Sequence, residues 1–179
     1  MSRVREWIPV STSPKGRLAL SAVKEFGARP FDEVTVAELA TAANVTTGAL
    51  YHHFGSKLGL YAFVREDVER RLLDRMEGAV AASGPESDRA AAVTAALLVG
   101  LDFAVREGFL RILGDPPAGT EHDRLAEMLS ESAVSATPVL GRVLAAAWRA
   151  ALAAIAEGAE PEHARAAIAA LRLQLPDGE

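Results

Sequence analysis

The chain of 179 residues contains no cysteine, which excludes a disulfide framework and a thiolate metal centre. No uninterrupted apolar run reaches membrane-spanning length, about 18 residues, so a membrane span is not expected. The opening MSRVREWIPVSTSPKG lacks the apolar stretch of a secretory signal. A cytoplasmic protein is the simplest expectation. Alternation of period two is missing throughout, so strands are not expected. Also missing are a phosphate-cradling G-x-x-x-x-G-K-[ST] loop, a G-x-S-x-G elbow and an H-E-x-x-H zinc motif. Ser21 and Lys24 form an S-x-x-K without its companion motifs, inside an amphipathic helical pattern. His52 and His53 are adjacent, and neighbouring helical side chains point about 100° apart. They make a poor shared metal site, with no acidic residue at ligand spacing. No catalytic residue, metal or cofactor is expected.

Charge is unevenly spread. The whole chain carries a formal charge of -5. Residues 1–65 hold eight Lys/Arg against five Asp/Glu, a net of +3, whereas residues 66–179 sum to -8. A basic third on an acidic remainder fits a small head that approaches phosphate on a body that does not.

What is present is helical period. Residues 1–12 read as an arm. Ser13-Pro14 opens a helix striped by Leu18, Ala22 and Phe26 and stopped by Gly27 and Pro30. Ser56 caps a long helix through Leu60, Val64, Val68, Leu72 and Met76, with Glu66, Asp67, Glu69, Arg70 and Arg71 as its solvated face. Residues 82–87 read as a turn. Further helices follow over Asp88–Gly108, over a short piece Phe109–Leu113, from a Thr120/Asp123 start, from Thr137-Pro138, and from Pro161 through Ile168, Leu171 and Leu175. The expectation is an all-α chain of roughly eight or nine helices.

The most informative stretch is VTVAELATAANVTTGALYHHFGSK, Val34–Lys57. Thr35 with Glu38 makes a capping box that opens a helix at Val36. Asn44 supplies the left-handed residue of a sharp turn. Thr46 or Thr47 caps a second helix whose inner face is Leu50 and Phe54. Its outer face is Thr47, Gly48, Ala49, Tyr51, His52 and His53. These side chains are better suited to a groove than to a core. A helix-turn-helix presents its second helix to the DNA major groove in this way.

These residues resemble the DNA-binding domain of the TetR family of bacterial transcriptional regulators. The shared pattern is F-x-x-V-T-V-A-E-L-A, then A-x-V-x-x-G-A-L-Y-x-H-F, then S-K. It runs from about Lys15 to about Val68, with Asn44 where the family usually has Gly. The resemblance implies an N-terminal three-helix helix-turn-helix domain over 13–60 and a helical ligand-binding and dimerisation bundle over 61–179. It implies operator DNA as partner, touched by Thr35, Thr46, Thr47, Gly48, Ala49, Tyr51, His52, His53 and Lys57. Tyr51 and Lys57 would contact phosphates, and Thr35 would offer its N–H and hydroxyl to the duplex. It implies a small-molecule inducer of unknown identity in a pocket drawn from Leu97, Leu101, Phe103, Arg106, Phe109, Met128 and Trp148. Asp102 and Arg106 read as an i, i+4 ion pair or as a polar handle in that pocket. The Ala-rich last two helices would form a homodimer through Ala167 and Ile168.

The functional expectation, by resemblance, is a ligand-responsive dimeric regulator of the repressing kind. The rival from another class is an all-α ligand carrier or enzyme that uses the helical pocket without binding DNA.

Overall fold

The structure is a computed structural model, and it describes residues 12–84, 88–116, 122–133, 138–171 and 173. The expected arm up to Ser11, together with Thr120, Thr137 and Leu175, lies outside the described residues. The described residues form nine α-helices and no strand, so the fold is all-α. In order these are α1 Pro14–Ala28, α2 Val36–Ala42, α3 Thr47–Phe54, α4 Lys57–Ala82, α5 Arg89–Glu107, α6 Leu110–Gly114, α7 Arg124–Ser132, α8 Pro138–Ala156 and α9 Pro161–Ala169. A 3-10 turn, Phe31–Glu33, follows α1. The chain divides into two compact units, Met1–Val68 and Glu69–Glu179.

In the first unit α1, α2 and α3 pack on one another. Each start is a side-chain cap. Ser13 accepts from the Gly16 N–H, Thr35 from Glu38 and Thr46 from Ala49. Each cap satisfies one amide that the helix leaves without a partner. Leu18, Ala22, Phe26, Leu39, Leu50, Leu60, Val64 and Val68 are buried together in this unit. Each large apolar side chain contributes about 1.5–3 kcal/mol of transfer free energy. Phe26, Phe31 and Tyr61 form an aromatic triangle with ring centroids 5.1–5.6 Å apart. Asp67 departs from the expected solvated face of α4, because it is buried.

In the second unit α8 packs on α6, α7 and α9, and α5 adjoins α6 to α9. Trp148 is buried, and its indole N–H donates to the Leu97 carbonyl 3.0 Å away, joining α8 to α5. Arg149 makes a bidentate pair with Asp123 at 2.6 and 2.8 Å. Asp123 is also the N-cap of α7, accepting from the Ala126 N–H. Asp123 is thus the member of the expected Thr120/Asp123 start that caps α7, Thr120 lying outside the described residues. One carboxylate caps α7 and anchors α8 to it.

The expected Asp102/Arg106 pair does not form. Asp102 is held by Arg165 of α9 at 2.5 and 2.6 Å, and Arg106 turns to Glu107 at 3.3 Å. The α5 helix points Asp102 toward α9, and a charged partner there wins over one a turn away.

Two features of α8 and α9 revise the sequence reading. The span Val139–Ala156 has mean hydropathy 1.6 and is long and apolar enough to cross a membrane, with 33% of it buried. Counting unbroken apolar runs missed it, since Gly141, Arg142 and Arg149 interrupt the run. The remainder includes an outward stripe of Val139, Val143, Ala146, Ala150 and Ala153 at spacings of four and three. In α9, Ile168 is 2% exposed and belongs to the subunit's own core, whereas Ala167 is exposed. A charge at position 168 would damage the subunit itself, so it is a poor probe of association.

Candidate nucleic-acid interface

The head is built around one turn. After α2, the Val45 N–H donates to the Ala40 carbonyl at 2.9 Å and the Asn44 N–H to the Thr41 carbonyl at 3.0 Å. Asn44 has φ of 52°. This is a Schellman closure with asparagine in the left-handed position. Arg17 of α1 fixes the same turn, its Nε donating to the Ala43 carbonyl at 2.8 Å. Sequence reasoning placed the turn but missed Arg17, since carbonyl capping across a fold carries no spacing signal.

The recognition helix α3 then projects its outer face. Thr46, Thr47, Gly48 and His52 are exposed, and Tyr51 is 54% exposed. Ala49 and His53 are half-buried. The His52 and His53 ring centroids lie 5.0 Å apart. On the inner side Leu50 is buried and Phe54 meets Phe63 of α4 at 5.3 Å. Lys15 of α1 sits over the Phe63 ring at 5.0 Å and the Phe54 ring at 5.8 Å. The step from α3 to α4 needs glycine at 59. A Cβ there would lie 2.1 Å from the Phe54 carbonyl oxygen. Any side chain would push the end of α3 away from α4 and re-aim the outer face.

Two expected contact residues are more engaged with the protein than the sequence implied. Thr35 directs both its N–H and its hydroxyl at Glu38, at 2.8 and 2.7 Å. Those are the donors assigned to the duplex, and the capping box uses them. Lys57 donates to the Phe31 and Val34 carbonyls, both at 2.9 Å, and lies 4.1 Å over the Phe31 ring. An ammonium has three donors. Two of them tie the 3-10 turn and the entry to α2 onto the start of α4.

Glu38 also joins α1 to α2. Arg29 bridges Glu25 at 2.8 Å and Glu38 at 3.1 Å. The Thr35 hydroxyl, then the Thr35 N–H, then Arg29 hold the Glu38 carboxyl down at about 2, while Glu38 and Glu25 raise Arg29. A depressed carboxyl stabilises the fold above its ordinary value, 4.5, and that contribution disappears as pH falls through about 2. Glu38→Gln should therefore be less stable than the parent at neutral pH. The gap should close between pH 4.5 and 2 in denaturant titrations followed by circular dichroism. A gap that stays constant over that window would show that Glu38 acts through shape alone.

In the second unit Leu97, Leu101, Phe103, Phe109, Met128 and Trp148 are buried, at 6% exposure or less. Arg106 is not among them: its side chain is 66% exposed and paired with Glu107. It does not serve as an interior polar handle.

Residues 20–63 match the family model of bacterial regulatory proteins, tetR family. A comparison with curated proteins gives no match. Among solved structures, a TetR-like transcriptional regulator from Rhodococcus sp. RHA1 aligns with TM-score 0.65 at 22% identity, over 90% of this chain and 93% of that one. A TetR-family transcriptional regulator from Pectobacterium atrosepticum aligns with TM-score 0.63 at 26% identity, over 86% of this chain and 88% of that one. The TetR family transcriptional regulator PfmR from Thermus thermophilus aligns with TM-score 0.62 at 20% identity, over 93% of this chain and 100% of that one. The chain has the fold of TetR-family transcriptional regulators and carries that family's helix-turn-helix domain near its N-terminus.

Proposed function

We propose that the chain is a dimeric, ligand-responsive repressor that binds operator DNA through α3 and works in the cytoplasm. The observation that carries the DNA reading is the outer face of α3. It is held rigidly by a Schellman turn, three caps and Arg17, yet it presents Thr46, Thr47, Gly48, Tyr51 and His52 to solvent. A rigid, polar, small-residue face on a basic head is what major-groove docking requires. Lys57 serves first as a clamp on the head, with one donor left for a phosphate. Phosphate contacts position the domain, and base contacts specify the sequence.

Tyr51 gives the cleanest test. Tyr51→Phe removes one hydroxyl from an exposed side chain and leaves the fold intact. A hydrogen bond to a charged group contributes about 1.5–3 kcal/mol. Affinity should drop about ten-fold or more on every duplex, operator or random, in fluorescence anisotropy. Equal affinity of variant and parent would remove Tyr51 from the interface.

The ligand reading rests on the second unit's apolar interior, into which the Trp148 indole is fixed by Leu97. An effector that favours the state unable to grip DNA must lose affinity when operator is bound, because the coupling is reciprocal. Its binding should raise the melting temperature and alter Trp148 emission.

A further inference from the structure

The residues Thr46–Phe54, TTGALYHHF, contain no Lys, Arg, Asp or Glu. Besides the Tyr51 phenol, the ionisable side chains in this stretch are the imidazoles of His52 and His53. The chain has four histidines, and half of them stand on this one helix. His52 is exposed, and its ring lies beside that of His53 at 5.0 Å.

Several charged groups on the elements around α3 are engaged elsewhere. From α1, Lys15 lies over Phe54 and Phe63, and Arg17 reaches the Ala43 carbonyl. From α2 the charged side chain is Glu38, held by Thr35 and Arg29. From α4, Lys57 is turned onto the Phe31 and Val34 carbonyls. Among the described residues, no carboxylate is hydrogen-bonded to either imidazole, whereas a duplex supplies one phosphate charge per about 1.7 Å of axis.

We infer that His52 takes up a proton when the head binds DNA, so that operator affinity is linked to pH. This rests on the DNA-binding reading above. Protonation gives an uncharged recognition helix its only cation. It also makes both ring nitrogens donors, and the major-groove edge of guanine offers two acceptors. Like charges at the separation of the two rings repel, so one linked proton is expected. The sign follows: binding consumes a proton, and affinity rises as pH falls.

The experiment uses the full chain and two duplexes, one selected from genomic DNA and one of random sequence, at constant ionic strength from pH 5.5 to 8.5. For one linked proton the dissociation constant should fall by up to about ten-fold for each unit by which pH is lowered. His52→Gln should flatten that dependence, whatever its affinity at pH 8.5. The double variant His122→Gln/His163→Gln, altered outside the head, should keep the dependence. A parent that binds with pH-independent affinity overturns the inference and leaves the DNA-binding reading standing. So does a dependence that persists in His52→Gln or vanishes in His53→Gln alone. A parent that retains neither duplex at any pH overturns both.

Discussion

Val143→Glu is expected to convert a dimer into a monomer and, with it, to abolish operator binding at micromolar protein. Val139, Val143, Ala146, Ala150 and Ala153 repeat at spacings of four and three along α8, and all are exposed in the single chain. Val139 and Val143 are 60% and 57% exposed, far more than an apolar side chain on a covered face. The four-three spacing is the seam of left-handed helix pairing, and alanine allows close approach of a second helix. A two-fold dimer places the same residue on both sides, so each substitution counts twice. An unpaired charge buried at an interface costs about 3–5 kcal/mol. That corresponds to association weaker by roughly a hundred-fold to several thousand-fold. Because Val143 touches solvent in the single chain, the subunit should keep its helix content and melting behaviour. Sedimentation of the variant should show monomer where the parent shows dimer. A dimer that survives Val143→Glu would place the contact elsewhere.

Gly141→Ala should be the most damaging single methyl in the second unit. A Cβ at 141 would lie 2.0 Å from the Ala126 carbonyl oxygen, and 2.8 Å from both the N and the Oγ of Ser130. These are mostly backbone atoms of α7, so no side chain can swing away to make room. The α7 and α8 helices touch along their length and are cross-tied by the Asp123–Arg149 pair. Moving them apart would loosen that pair and uncover Leu125, Met128 and Leu129. Overpacking a core ordinarily costs about 1–3 kcal/mol, and a backbone obstacle puts this site at the upper end or beyond. The parent and variant should differ by that much in urea unfolding followed through Trp148 fluorescence, with Trp7→Phe in both backgrounds. An equally stable variant would mean that α7 and α8 meet less closely than described.

The sequence was most legible where a local rule acts over a few residues. The Thr35/Glu38 box, the left-handed Asn44, the Ser13-Pro14 start and the Ser56 cap all stand where spacing placed them, and of Thr46 and Thr47 it is Thr46 that caps α3. The outer and inner faces of α3 followed from period alone, apart from Ala49 and His53, which are half-buried. What stayed hidden depends on partners distant in sequence. Lys57 clamps carbonyls more than twenty positions away, and Arg17 fixes a turn in the same way. Asp102 chose Arg165, 63 positions on, over Arg106. Asp123 turned out to be a cap and a salt-bridge partner at once. Amphipathic period shows which side of a helix is apolar. It does not show whether its own subunit or another molecule covers that side. Ile168, expected at a contact between subunits, is buried within its own, whereas Val143 is left exposed.

The most direct test of the account is selection of fragments bound by the full chain from the genomic DNA of the organism that encodes it, followed by anisotropy on the enriched duplex across salt. The account predicts enrichment of a site with two related halves about one helical turn or a multiple apart, as a two-fold dimer requires. It also predicts affinity that falls steeply with salt and is about ten-fold or more weaker in Tyr51→Phe. No enriched sequence, together with no salt-dependent retention of any duplex, would contradict it.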